Sequence, residues 1–193
     1  MAMDQADQQD VADTLRGEGQ AYERVVRRHQ QQIAARMWRF THDRAELEEL
    51  VHDVFVEAYL ALRGYKGRGP FAHWLNRIAT RVGYRFWKGR KKQADRTVPL
   101  LDCDVVAPAG AAPLEAEQAG RLLRGLLDRL APRDRLVLTL MYLEEMPVAQ
   151  VAEQIGWSVT MVKVQAHRAR KKLRALLDAS GLSDLFGRGE SAS

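Results

Sequence analysis

Apolar residues recur at helical spacing along almost the whole chain, and no stretch alternates with period two for long enough to argue a strand. Residues 19–41 place Tyr22, Val25, Val26, His29, Ile33, Met37 and Phe40 on one face. Residues 45–62 repeat the pattern with Leu47, Leu50, Val51, Val54, Phe55, Ala58, Tyr59 and Leu62. A third helix is predicted from Pro70, a residue suited to a first turn, with Phe71, Trp74, Leu75, Ile78, Ala79, Val82 and Phe86 inward. Residues 18–92 therefore read as a helical bundle, preceded by a disordered or weakly helical tail over 1–17.

The periodicity then stops. "QADRTVPLLDCDVVAPAGAAP" (93–113) is rich in Ala, Pro and Asp and reads as a linker. About 20 residues of flexible coil average ~25 Å end to end and reach ~66 Å when extended. Four shorter helices follow. One near 114–130 carries Leu122, Leu126 and Leu130, and the next runs from Pro132 to about Leu143. Residues 147–156 turn Val148, Val151, Ala152 and Ile155 inward and stop at Gly156. The last helix starts at Ser158, a suitable N-cap, and ends near Gly181. A short helix, a glycine turn and a longer basic helix make a helix-turn-helix. The expected fold class is all-α: two small helical domains, 18–92 and 114–178, joined by a flexible linker, with a C-terminal tail over 179–193.

Composition excludes several function classes. An apolar fraction of 46% in 193 residues supports packed cores. The longest apolar run, "LVLTLMYL" at 136–143, is too short to span a bilayer, and "MAMDQADQQDVADTL" lacks a signal-peptide layout, so a cytoplasmic location is expected. A single cysteine, Cys103, excludes an internal disulfide and disfavours a thiolate zinc site.

The net charge of +5 hides a segregated distribution. Between Asp43 and Glu57 lie six acids, and Glu46, Glu49, Asp53 and Glu57 fall on one stripe opposite the apolar face. Like charges at i, i+4 each cost an isolated helix ~0.2–0.5 kcal/mol. No Lys or Arg lies between Arg44 and Arg63 to relieve them; a cationic partner would, and a merely solvated stripe is the alternative. Glu49 and His52 have the i, i+3 spacing of carboxylate-bridged metal sites in helix bundles. Such a site needs a second Glu-x-x-His, and His29, His42, His73 and His167 do not supply one. No metal is expected, and His52 reads as the rim of a docking face.

Two basic segments complement the acidic one. From Lys163 to Arg174 there are six Lys/Arg and no acid. There Val162, Ala166, Ala169, Leu173 and Leu176 face inward, while Thr160, Val164, His167, Arg168 and Lys171 face outward with Lys163 and Gln165 on the flanks. Cations for phosphates, with methyl, amide and guanidinium groups for base edges, suit the major groove of DNA. On the third helix Arg77, Arg81, Tyr84 and Lys88 form a stripe with Arg85 beside it; His73, Asn76, Thr80 and Trp87 form its neighbour. Trp87, near Tyr84 and several cations, either stacks on unstacked bases or packs against the linker. The preceding "GYKGRGP" (64–70), with Tyr65, Lys66 and Arg68, reads as a flexible basic loop able to approach nucleic acid.

Together these segments resemble the extracytoplasmic-function (ECF) sigma factors of the sigma-70 family. "AELEELVHDVFVEAYLAL" is similar to their region 2.2, "FAHWLNRIATRV" to region 2.3, and "LAPRDRLVLTLMYLEEMPVAQVAEQIGWSVTMVKVQAHRARKKLRAL" to region 4. The resemblance implies a dissociable specificity subunit of RNA polymerase. Its first domain would bind the clamp helices of the beta-prime subunit and open the −10 element, with a base captured in a loop pocket at "GYKGRGPF". Its second would read the −35 element, with contacts mapping to Lys163, Val164, His167 and Arg168, and touch the beta flap. It also implies control by an anti-sigma factor, often a membrane-bound one. Thr160-Met161, Val164-Gln165 and Arg81 depart from residues common in the family, so the promoter sequence is not carried over.

Two other readings compete. A stand-alone helix-turn-helix regulator would leave the acidic helix without a purpose. An enzyme would need a constellation that is missing: no Ser-His-Asp arrangement, phosphate loop or paired carboxylate–histidine motif is found. No catalytic residue, cofactor or small-molecule substrate is expected.

Overall fold

A computed structural model describes residues 2–96 and 116–181, and every regular element in them is helical. Contacts divide the chain into two units, Met1–Gly89 and Arg90–Ser193, the boundary falling in the last turns of α4. Cys103, most of the linker and the tail after 181 lie outside the described residues.

The first unit holds α1 (Ala2–Leu15), α2 (Gly19–Met37), α3 (Arg44–Ala61), a short 3-10 turn at Leu62–Gly64, and α4 (Phe71–Ala94). α2 to α4 bury the expected faces: Val25, Ile33, Met37, Leu50, Val54, Phe55, Ala58, Leu62, Leu75, Ile78 and Val82 make the core. Each large side chain so enclosed contributes ~1.5–3 kcal/mol. α3 starts where its sequence directs. Asp43 is the N-cap and accepts from the Glu46 amide at 2.9 Å. The Thr41 hydroxyl, buried beneath, accepts from the Asp43 amide at 3.1 Å and donates to the Glu46 carboxylate.

The N-terminal residues are a correction to the expectation of a tail that is disordered or weakly helical. They form α1, packed on α2. α1 is not amphipathic in the usual sense; it buries Asp7, Asp10 and Asp13 beside Val11 and leaves Gln5, Gln8 and Gln9 outside. The reason is charge. Asp10 accepts from Arg24 Nε at 2.7 Å and Arg28 Nη2 at 2.6 Å, and Asp7 pairs with Arg28. His29 Nε2 lies 3.0 Å from both oxygens of Asp7. An apolar-periodicity search does not find a helix whose docking face is acidic.

The second unit holds α5 (Ala116–Arg129), α6 (Pro132–Leu138), α7 (Val148–Ile155) and α8 (Val159–Ala179). α6 continues through Leu143 as a wider turn, with the Glu144 amide on the Thr139 carbonyl at 3.0 Å. Leu127, Leu130, Leu138 and Ala169 make one core cluster, edged by Leu123, Leu143, Leu173 and Leu176. α7 ends at Gly156, whose φ of 72° closes the turn that a side chain would strain. Ser158 caps α8 by accepting from the Met161 amide at 3.1 Å. The predicted helix-turn-helix is thus present.

Candidate nucleic-acid and partner interfaces

The outward face of α8 is free. Thr160, Lys163, Val164, His167, Arg168 and Lys171 are all exposed, and none has a hydrogen bond or ion pair among the described residues. Val164 (45% exposed) and Met161 (45%) set an apolar patch among the cations. Gln165 is a correction: its amide is held by Asp134 of α6, so it is not available as a base-reading group. Asp134 is only 1% exposed and also accepts from Lys172 Nζ at 2.7 Å. This carboxylate spends its lone pairs tying α8 to α6, a role that the sequence reading missed. The signal was an acid in an otherwise buried helix.

On α4, Arg81 and Lys88 are exposed, Arg77 and Tyr84 half-buried, and the Lys88 ammonium lies 5.9 Å from the Tyr84 ring centre. In the loop before α4, Lys66 and Arg68 are exposed and unpaired among the described residues, while the Tyr65 hydroxyl donates to the Gly69 carbonyl at 2.8 Å.

Trp87 corrects the second stripe of α4. It is 4% exposed, its ring centre lies 4.5 Å from that of Phe40, and its N–H donates to the Phe40 carbonyl at 2.8 Å. It offers no stacking face to bases and packs on Phe40. Thr80, also in this stripe, is buried; it donates to the Asn76 carbonyl at 3.0 Å and accepts from Arg36. The C-terminal part of the stripe, Thr80 and Trp87, is buried while His73 stays exposed, and Phe40, in the α2–α3 connection, fills the space that Gly83 leaves open beside Trp87.

The acidic stripe of α3 divides. Glu57 pairs with Arg85 of α4, correcting both the expectation that no cation relieves the stripe and the assignment of Arg85 to DNA alone. Glu46 serves the helix start. Glu49 and Asp53 are exposed and have no ion pair among the described residues. Glu49 lines a cleft toward α4, whereas His52 lines a different depression, so the i, i+3 pair does not converge. That depression, about 1010 Å³ between α2 and α3, is walled by Tyr22, Val26, Ala34, Val51, Phe55 and Tyr59. At its rim Val56 is 42%, Tyr59 54% and Leu60 75% exposed, although Tyr59 was expected inside. Tyr59 turns edge-on to Tyr22, 5.0 Å between centres, instead of entering the core. Val56 and Leu60, apolar at i, i+4 outside the predicted face, were the legible sign of this groove.

The comparisons with known proteins match these units. Residues 25–93 match the sigma-70 region 2 family and residues 120–173 the sigma-70 region 4 family. The RNA polymerase sigma factor CnrH of Cupriavidus metallidurans is 31% identical over 188 residues, covering 93% of this chain and 98% of the relative. The RNA polymerase sigma-H factor of Pseudomonas aeruginosa is 26% identical, with 90% and 94% covered. The solved structure of CnrH in complex with the cytosolic domain of CnrY superposes with a TM-score of 0.56 at 27% identity, over 90% of this chain and 98% of that one. With both regions matched in order on the helical units described above, the chain belongs to the extracytoplasmic-function sigma factors of the sigma-70 family.

Proposed function

We propose that this sigma factor binds core RNA polymerase, directs it to specific promoters for transcription initiation, and is held inactive by an anti-sigma factor. The observation that carries it is the α8 face, where Lys163, His167, Arg168 and Lys171 surround Val164 on a helix-turn-helix and have no ion pair among the described residues. Duplex DNA supplies the missing charge, and the N-terminal half of α8 meets the −35 bases. The loop at 64–70 with Arg77, Arg81, Tyr84 and Lys88 addresses the −10 element. The exposed side of α3, with Glu49, His52 and Asp53 beside Val56 and Leu60, suits a helical partner carrying both cations and apolar residues, as the beta-prime clamp helices would; the second unit also touches the beta flap. The polymerase performs the chemistry, in the cytoplasm, and the chain itself turns over no substrate. The solved complex of CnrH with the cytosolic domain of CnrY supports a protein partner of this kind.

The test is reconstitution. Core polymerase with and without the chain is offered a randomised promoter pool, and bound sequences are recovered and transcribed. Chain-dependent enrichment of a two-element promoter and run-off transcript from it are expected. Enrichment by the chain alone, unchanged by polymerase, would favour a stand-alone regulator.

A further inference from the structure

α4 begins with a defect. Its first turn needs an acceptor for amide groups that have no partner within the helix. Pro70 precedes it, and a proline has no side-chain oxygen to cap with. Its carbonyl accepts from His73 at 3.0 Å and Trp74 at 3.4 Å, which leaves the Phe71 and Ala72 amides. The Phe71 amide donates to Asp4 Oδ1 of α1 at 3.2 Å. A carboxylate from another helix thus stands where the local cap is missing, and it also meets the positive end of the α4 dipole. Gln8 Nε2, 3.3 Å from Asp4 Oδ2, steadies it.

The contact lies directly behind the basic loop. Phe71 is fully buried and carries the Tyr65 ring edge-on at 5.3 Å and the Trp74 ring at 5.3 Å. Tyr65 in turn bonds to Gly69, so the loop is closed on itself and stands on Phe71. From the other side the His29 ring lies 5.5 Å from Phe71 and holds Asp7 of α1. α1 also packs against the turn at Leu62–Gly64, where the loop departs. Both ends of the loop therefore rest on α1, while Lys66 and Arg68 at its tip are exposed.

We infer that α1 is a positioning element for promoter opening, with Asp4 its positioning residue: by capping α4 across the fold it keeps the 64–70 loop in the shape that receives an extruded base. This rests on the reading of that loop as the −10 segment. A loop ordered in advance loses less conformational entropy on capture than one that must be ordered then. The cost of losing α1 therefore falls on the opening step, not on docking to polymerase or on −35 binding.

The experiment uses the full chain as wild type, Asp4→Ala and Asp4→Asn, assembled with core polymerase on a promoter selected by the wild-type holoenzyme and carrying a fluorescent base analogue in its −10 element. Three quantities are measured: core affinity, −35 duplex affinity and opening. Asp4→Ala is expected to leave the two affinities within twofold and to reduce opening about fivefold, the equivalent of one lost helix cap. Asp4→Asn keeps the acceptor oxygen and should restore most of the opening. Equal opening by wild type and Asp4→Ala would overturn the role of α1, as would a loss in core affinity as large as the loss in opening. Failure of the wild-type holoenzyme to open the duplex, or opening indifferent to Lys66→Ala/Arg68→Ala, would instead overturn the reading of the loop.

Discussion

The Trp87 indole donates its N–H to the Phe40 carbonyl and lies 4.5 Å, centre to centre, from the Phe40 ring, closing one side of the first unit. Gly83 makes this possible: a Cβ there would sit 2.3 Å from Phe40 Cδ1.

Gly83→Ala should therefore destabilise the protein although alanine is the better helix former by ~1 kcal/mol. Overpacking of this kind costs ~1–3 kcal/mol, and a lowered Tm by calorimetry checks it. Trp87→Ala should cost ~3–5 kcal/mol of stability. The remaining folded fraction should bind single-stranded −10 DNA as wild type does. A selective loss of that binding would return Trp87 to the DNA surface.

The α1–α2 contact predicts an acid-sensitive first unit. Burial pushes the Asp10 carboxyl up, but hydrogen bonds and charge from Arg28 and Arg24 outweigh it and hold the group below its ordinary value of 3.8. A depressed carboxylate contributes stability above its unfolded value and loses it as pH falls through the folded one. Stability should thus be flat near neutrality and fall below about pH 4, with α1 amides the first to lose hydrogen-exchange protection. Arg28→Ala removes the guanidinium that Asp7 and Asp10 share, leaving Asp10 to Arg24 and Asp7 to His29, and should cost ~1–3 kcal/mol in urea unfolding at pH 7.

Asp134 predicts how the second unit reads DNA. Asp134→Ala removes the acceptor for Gln165 and Lys172 and should lower both the stability of the unit, by ~1–3 kcal/mol, and its affinity for a −35 duplex. Gln165→Ala should weaken binding without changing which bases are preferred. Arg168→Ala should cost ~1–3 kcal/mol and relax preference at one base pair. Binding isotherms on a panel of single-base variants separate the three.

The helix order, the helix-turn-helix and the cationic face of α8 were legible because each depends on local spacing: Val162, Ala166 and Ala169 inward fixes Val164, His167 and Arg168 outward. What escaped was set by residues distant in sequence. Trp87 turned inward because Phe40 meets it across 47 positions, Gln165 was taken by Asp134 across 31, and Glu57 by Arg85 across 28. α1 escaped because its docking face is ionic, and the groove beside α3 because Tyr59 and Leu60 stay outside a pattern that would bury the first of them.

The central claim is tested most directly by co-elution of the purified chain with bacterial core RNA polymerase, wild type beside Glu49→Lys/Asp53→Lys. Neither acid has an internal ion pair among the described residues, so the double variant should keep the wild-type Tm. A stable wild-type complex that the folded double variant does not form is the predicted result. Folded wild type, free of any anti-sigma factor, that fails to bind the polymerase would contradict the account.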